Sequence, residues 1–150
     1  MIRDELKAAL VSAMKSGDKA KVATLRLVQA GIKNRDIELR TASVQPDDDA
    51  LVTDVLQKMI KQRRESVEMY VKGGRQELAD AESAEIAVIE QFLPAQLSED
   101  EAKAAIAAII AETGASSMKD MGRVMALVKE RLGTAIEPAR ASGLVKGLLL

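Results

Sequence analysis

The stretch KAKVATLRLVQAGIKNRDIELR, residues 19–40, decides the fold class of this chain. Its apolar residues recur every three or four positions, which is the period of an α-helix and not that of a strand. Two sides of this helix are apolar, one with Val22, Leu25, Val28, Ile32 and Leu39 and the other with Leu27, Ala30 and Ile37. A helix with two apolar sides is predicted to lie at the centre of its domain.

The same period continues outward on both sides of this stretch. A first helix is expected before Ser16-Gly17-Asp18, a third from the acidic start at residues 47–49 to Gly73-Gly74, and a fourth that ends before Pro94. Three more follow, the first of which begins at a capping box, Ser98 to Glu101. We therefore predict an all-α chain with an N-terminal four-helix domain, residues 1–96, and a small C-terminal three-helix tail domain, residues 97–150.

The composition excludes most familiar classes of enzyme. The chain has 150 residues with no Cys and no His, so disulfides, thiol nucleophiles, the usual zinc sites and imidazole bases are all excluded. Residues 47–49 are consecutive Asp, but they lack the alternating spacing and the bidentate Glu of a calcium loop. We predict no catalytic residue, no cofactor and no metal site.

The apolar stretches and the N-terminus bear on location. No uncharged apolar stretch approaches the ~20 residues that span a bilayer, and the start Met1-Ile2-Arg3-Asp4-Glu5 turns acidic where a signal peptide would turn apolar. We expect a cytoplasmic protein with no membrane partner.

Basic side chains are unevenly distributed along the chain. Residues 1–46 carry 9 basic and 5 acidic groups (+4), whereas residues 47–97 carry 6 and 11 (−5). Two sets of cations are candidate phosphate-binding residues, namely Arg26, Lys33 and Arg40 on the second helix, and Lys58, Lys61 and Arg64 on the third. The competing interpretation is that both sets are ordinary solvated helix faces.

Arg63 differs from these cations. A helical projection places it inside the apolar stripe of the third helix, between Met59 and Val67, where a guanidinium needs a partner. The fourth helix carries Glu82 and Glu85 on or beside its own apolar stripe. We predict a structural ion pair from Arg63 to one of these two carboxylates.

A pair of serines precedes the sixth helix. Ser116-Ser117-Met118-Lys119 has the residue types of an amidase Ser-Ser-Lys site, but no glycine-rich oxyanion loop surrounds it. Ser116 or Ser117 is expected to cap the helix instead.

Four segments carry a resemblance to a known family. Thr24–Asn34, Lys61–Ser66, Phe92–Leu97 and Thr113–Gly122 together resemble the YqeY family, over essentially the whole chain and in order. That family is similar to the C-terminal helical and tail region of the GatB subunit of tRNA-dependent amidotransferases. The resemblance implies tRNA as a partner, a tRNA-processing or aminoacylation protein as a second candidate partner, and binding without the chemistry of amide transfer.

Three hypotheses for function follow. The first is a non-catalytic tRNA-associated module that uses the two cationic sets. The second is a protein-interaction module whose apolar Met-rich or C-terminal Leu surface binds a partner chain. The third is a carbon–nitrogen ligase with glutamine as amido donor, which the absence of Cys, His and a phosphate-binding loop disfavours.

Overall fold

The computed structural model describes residues 1–149 and confirms the all-α prediction. Over that range the chain forms seven α-helices and no strand: α1 Ile2–Ser16, α2 Lys19–Glu38, α3 Asp48–Lys72, α4 Gln76–Glu90, α5 Glu99–Thr113, α6 Met121–Leu132 and α7 Pro138–Leu149. Three 3₁₀ turns accompany them, at Leu39–Thr41, Met118–Asp120 and Gly133–Ala135.

The chain divides into two compact units. The first is Met1–Leu93 and contains α1 to α4; the second begins at Pro94 and contains α5 to α7. Each unit has its own apolar core. Leu25, Leu56 and Ile89 are fully buried in the first, and Ile106, Val124 and Val145 in the second.

α3 has more buried residues than any other helix of the first unit. Six of the seven residues from Leu51 to Gln57 are buried, and α3 contacts α1, α2 and α4. α2 also contacts the three other helices of the unit, as its predicted central position requires. Its second apolar side is not buried as expected, because Leu27 and Ile37 are 49% and 46% exposed. Thr53 and Gln57 are polar residues buried within α3, so the apolar pattern of the sequence understates how much of this helix is buried.

The three consecutive Asp residues at the start of α3 have three separate partners. The Asp47 carboxylate caps α3 by accepting from the backbone N–H of Ala50 at 3.2 Å. Asp49 accepts from the backbone N–H of Ile2 at 3.0 Å, at the start of α1. Asp48 binds Arg3. This acidic run therefore holds the beginning of α1 against the beginning of α3.

The Arg3 guanidinium joins three helices. Its Nη1 and Nη2 donate to the two carboxylate oxygens of Asp36 on α2, at 2.9 and 3.1 Å, while its Nε and Nη2 donate to Asp48 on α3, at 3.3 and 2.8 Å. Both pairs have the bidentate geometry that makes Arg–carboxylate bonds strong. Hydrogen bonding to Arg3 lowers the pKa of Asp48, and hydrogen bonding to Asp48 and then Asp36 raises the pKa of Arg3.

Gly31 allows α2 to approach α3 closely. A Cβ atom at this position would lie 3.3 Å from Val55 Cγ1 and 3.4 Å from Met59 Sδ, which is tighter than ordinary van der Waals contact. The absence of a side chain at Gly31 therefore sets the distance between these two helices.

The second unit confirms one predicted cap and corrects another. Ser98 and Glu101 form the capping box, with hydrogen bonds of 3.1 and 3.2 Å between each side chain and the other's backbone N–H. Neither Ser116 nor Ser117 caps a helix with its hydroxyl. Asp120 instead accepts from the backbone N–H of Ser116 at 3.1 Å, because a carboxylate in the first turn can reach back to the preceding loop.

Asp48→Asn should destabilise the protein at neutral pH and leave it less sensitive to acid. The side chains of Arg3 and Asp48 are 29% and 33% exposed, so solvent screening limits the expected loss to about 1 kcal/mol. A carboxyl with a lowered folded pKa stabilises above its unfolded pKa of about 3.9, and this contribution is lost as the pH falls through the folded value. The measurement is urea unfolding at pH 7 and at several values between pH 5 and 3. The difference in the free energy of unfolding between Asp48→Asn and the parent should become smaller as the pH falls.

The matched control for this prediction is Asp54→Asn, which breaks an exposed pair with Lys58 within α3. It should cost less than about 0.5 kcal/mol. If the difference in the free energy of unfolding between Asp48→Asn and the parent does not change with pH, the role assigned to the carboxylate is contradicted.

Gly31→Val should destabilise the protein by about 1–3 kcal/mol, because the branched side chain must displace Val55 and Met59. Gly143→Val makes the same exchange within α7, where an added Cβ meets nothing within 4 Å. It should change the free energy of unfolding by less than about 0.5 kcal/mol. Equal losses in thermal or urea melts would show that helix propensity, and not the approach of α3, explains the first result.

Candidate anion-binding surface

The cations predicted on the second helix lie along one side of α2 and its continuation. Arg26 and Lys33 are exposed residues of α2, and Arg40 is exposed in the 3₁₀ turn that follows it. Seven helical residues rise about 10 Å, so successive members of this row lie roughly two turns apart. We call Arg26, Lys33 and Arg40 the α2 row.

None of these three cations has a carboxylate oxygen within 4.0 Å in residues 1–149. Asp36 is the acidic residue placed to neutralise two of them, because it lies three residues after Lys33 and four before Arg40. Both of its oxygens accept from Arg3 instead. The contact that joins α1 to α2 therefore occupies the carboxylate that helical spacing places within reach of both Lys33 and Arg40.

The second predicted set, on α3, is different. Lys58 pairs with Asp54 at 3.1 Å, one turn away, and Arg64 pairs with Glu90 on α4, also at 3.1 Å. Lys61 is exposed, and no carboxylate of the described chain lies within 4.0 Å of it. Two of these three cations are therefore already paired with carboxylates, whereas none of the α2 row is paired in this way.

Two cations that the sequence did not single out lie beside the α2 row. Lys7 of α1 borders the same surface depression as Lys33, and Lys19 at the start of α2 borders the same depression as Arg26. Neither has a carboxylate within 4.0 Å among the residues described. Helical spacing within α1 could not identify Lys7, because its position depends on which side of α1 faces α2.

Arg63 is the least exposed of the candidate residues, with 13% of its side chain accessible. Its Nε donates to Glu85 Oε2 on α4 at 2.8 Å, and its Nη1 donates to the backbone oxygen of Met59 at 3.2 Å. Glu82, the other carboxylate considered, is half-buried and makes no ion pair within residues 1–149. The Arg63–Glu85 contact links α3 to α4.

Residues 1–149 contain neither a cluster of potential metal ligands nor a helix that could span a membrane. Across residues 1–149 no three or more Asp and Glu side chains converge in a way that could hold a metal ion. The helices formed by those residues are also too short or too polar for any of them to cross a bilayer.

Several fungal proteins are similar in sequence to this chain. The chain is 36% identical over 90 residues to "Altered inheritance of mitochondria protein 41, mitochondrial" of Eremothecium gossypii, a match that covers 60% of this chain and 48% of the relative. The protein of the same name in Lachancea thermotolerans is 33% identical over 88 residues, 59% of this chain and 46% of the relative. A Schizosaccharomyces pombe protein whose name assigns no function is 35% identical over 86 residues, 57% of this chain and 66% of the relative.

The chain spans about half the length of the first curated relatives it matches. The predicted cytoplasmic location is contradicted, because those relatives are named as mitochondrial proteins.

The family comparison covers nearly the whole chain. Yqey-like protein is the family that matches, over residues 3–149, which includes all four segments on which the resemblance was based. A match of this extent establishes membership, and the chain belongs to the YqeY-like protein family.

Proposed function

We propose that this protein binds the phosphate backbone of RNA, with tRNA as the ligand class, and that it does so without catalysing a reaction on it. The observation that carries the proposal is the α2 row, three exposed cations with no carboxylate partner in residues 1–149. Cations already paired with carboxylates must give up that partner to bind phosphate, whereas those of the α2 row need not. The similarity of the family to the C-terminal region of the GatB subunit supports tRNA as the ligand.

Within this proposal the six predicted residues contribute unequally. Arg26, Lys33 and Arg40 make the main phosphate contacts, and Lys61 adds to them from α3. Lys58 and Arg64 contribute less, because each already binds a carboxylate at 3.1 Å. The phosphate-binding residues thus belong mainly to the part of the chain with net charge +4.

We also propose that residues 1–96 and 97–150 are separate domains, with four and three helices. The separate apolar cores support this division. RNA binding is assigned to the first domain, because the α2 row lies within it.

Lys33→Glu should weaken binding to bulk tRNA more than to duplex DNA and should lower the steepness of its salt dependence. Each lost phosphate contact reduces the slope of log K against log salt by roughly one. The measurement is a fluorescence anisotropy titration of the full chain at several salt concentrations between 50 and 200 mM.

Lys103→Glu is the matched control, since it makes the same change of net charge, from −1 to −3, on an exposed lysine of α5 that pairs with Glu99. It should leave the salt slope within the error of the parent. Equal effects of the two substitutions would show a response to overall charge alone. No binding to tRNA at 50 mM salt, where screening is weakest, would overturn the proposed function.

A further inference from the structure

The surface between α1 and α2 carries two depressions, each lined by both apolar and charged residues. The first has Leu6 and Ile32 at its floor, and the second has Ala13, Met14, Val22 and Ala23. Leu6 and Ile32 are almost fully buried, whereas the side chain of Met14 is 54% exposed. We call the surface that contains both depressions the α1–α2 groove.

The separation of the depressions matches the repeat of a helix. Leu6 and Met14 are eight residues apart on α1, and Ala23 and Ile32 are nine apart on α2, which corresponds to about 12 and 14 Å. A helix laid along the groove presents side chains on one face at i, i+4, i+7 and i+8, over about 12 Å. One apolar stripe of such a helix can therefore occupy both depressions.

Both edges of the groove are cationic. Lys7 and Lys33 border the first depression, and Lys19 and Arg26 border the second. None of the four has a carboxylate within 4.0 Å in the described part of the chain. Asp36 is the acidic residue that borders the first depression, and Arg3 binds both of its oxygens.

We propose that the α1–α2 groove binds an acidic amphipathic helix of a partner protein. Its apolar stripe would cover the floor around Leu6, Ile32 and Met14, and carboxylates beside that stripe would pair with Lys7, Lys19, Arg26 and Lys33. This arrangement is the helix-in-groove mode of recognition, with charge complementarity that excludes basic helices.

The apolar floor distinguishes this ligand from RNA. Phosphate groups satisfy the cations at the edges but leave the exposed residues Met14 and Ala23 in contact with water, whereas an amphipathic helix covers these residues as well. The inference does not rest on the proposed RNA binding. Since Arg26 and Lys33 serve both ligands, the acidic helix would compete with RNA wherever both bind.

The test uses the full chain and a defined probe, an N-acetylated, C-amidated 18-residue peptide. The peptide carries Leu at positions 4, 8, 11 and 15, so that they form one helical stripe, and Glu beside the stripe. Its isomer has the same composition with the Leu residues spread round all faces. Affinity is measured by fluorescence anisotropy, and amide NMR shifts of ¹⁵N-labelled protein locate the site.

The striped peptide should bind at least about tenfold more tightly than its isomer, because only the stripe buries apolar surface in both depressions. The shifts should centre on Gly17, Ala23 and Ile32. Equal binding of the two isomers would overturn the proposal, because it would show that charge attraction alone explains the affinity. Shifts centred outside α1 and α2 would also overturn it.

A substitution in the floor separates this ligand from RNA. Met14→Gln keeps the net charge and should lower the affinity for the striped peptide about fivefold to tenfold. It should change the affinity for tRNA less than twofold. Met69→Gln, at a methionine of α3 that is 73% exposed, is the matched control and should change neither. Equal effects of the two substitutions on the peptide would contradict the groove. A failure of tRNA binding with intact peptide binding would remove the proposed function alone.

Discussion

The Arg3 guanidinium, shared between Asp36 of α2 and Asp48 of α3, is the interaction that links the packing of the first unit to its candidate surface. It fixes the start of α1 against two other helices. It also occupies the one carboxylate that helical spacing places within reach of both Lys33 and Arg40. A contact that stabilises the fold therefore also leaves the cations of α2 available to an external anion.

One side of α2 packs against its neighbouring helices, and the opposite side is free. Residues 51–57 of α3 are covered by their neighbours, and α2 approaches them through Gly31. The buried side of α2 is thereby fixed by contact with Val55 and Met59. Its second apolar face, with Leu27 and Ile37, remains at the surface, and the side toward α1 holds the α1–α2 groove.

Features that depend on neighbouring residues could be predicted from the sequence. The helical period and the Ser98–Glu101 capping box are local, and the structure bears both out. The partners of Asp48 and Asp49 could not be predicted in the same way. Ile2 and Arg3 lie 47 and 45 residues from Asp49 and Asp48, so only the folded chain brings them together. The pairing of Arg64 with Glu90, 26 residues away, joins two exposed side chains that lie outside any apolar stripe, so no pattern indicates it. The contact of Arg63 with Glu85, 22 residues away, could be predicted because an apolar stripe marks the position of Arg63.

Amide NMR mapping of the ¹⁵N-labelled full chain with bulk tRNA at 50 mM salt tests most directly the claim that cations without carboxylate partners form the functional surface. We expect the largest shifts at Arg26, Lys33 and Arg40, because no carboxylate oxygen in residues 1–149 lies within 4.0 Å of them. Shifts concentrated at Lys58 and Arg64, which hold carboxylates at 3.1 Å, or confined to the unit that begins at Pro94, would contradict the account.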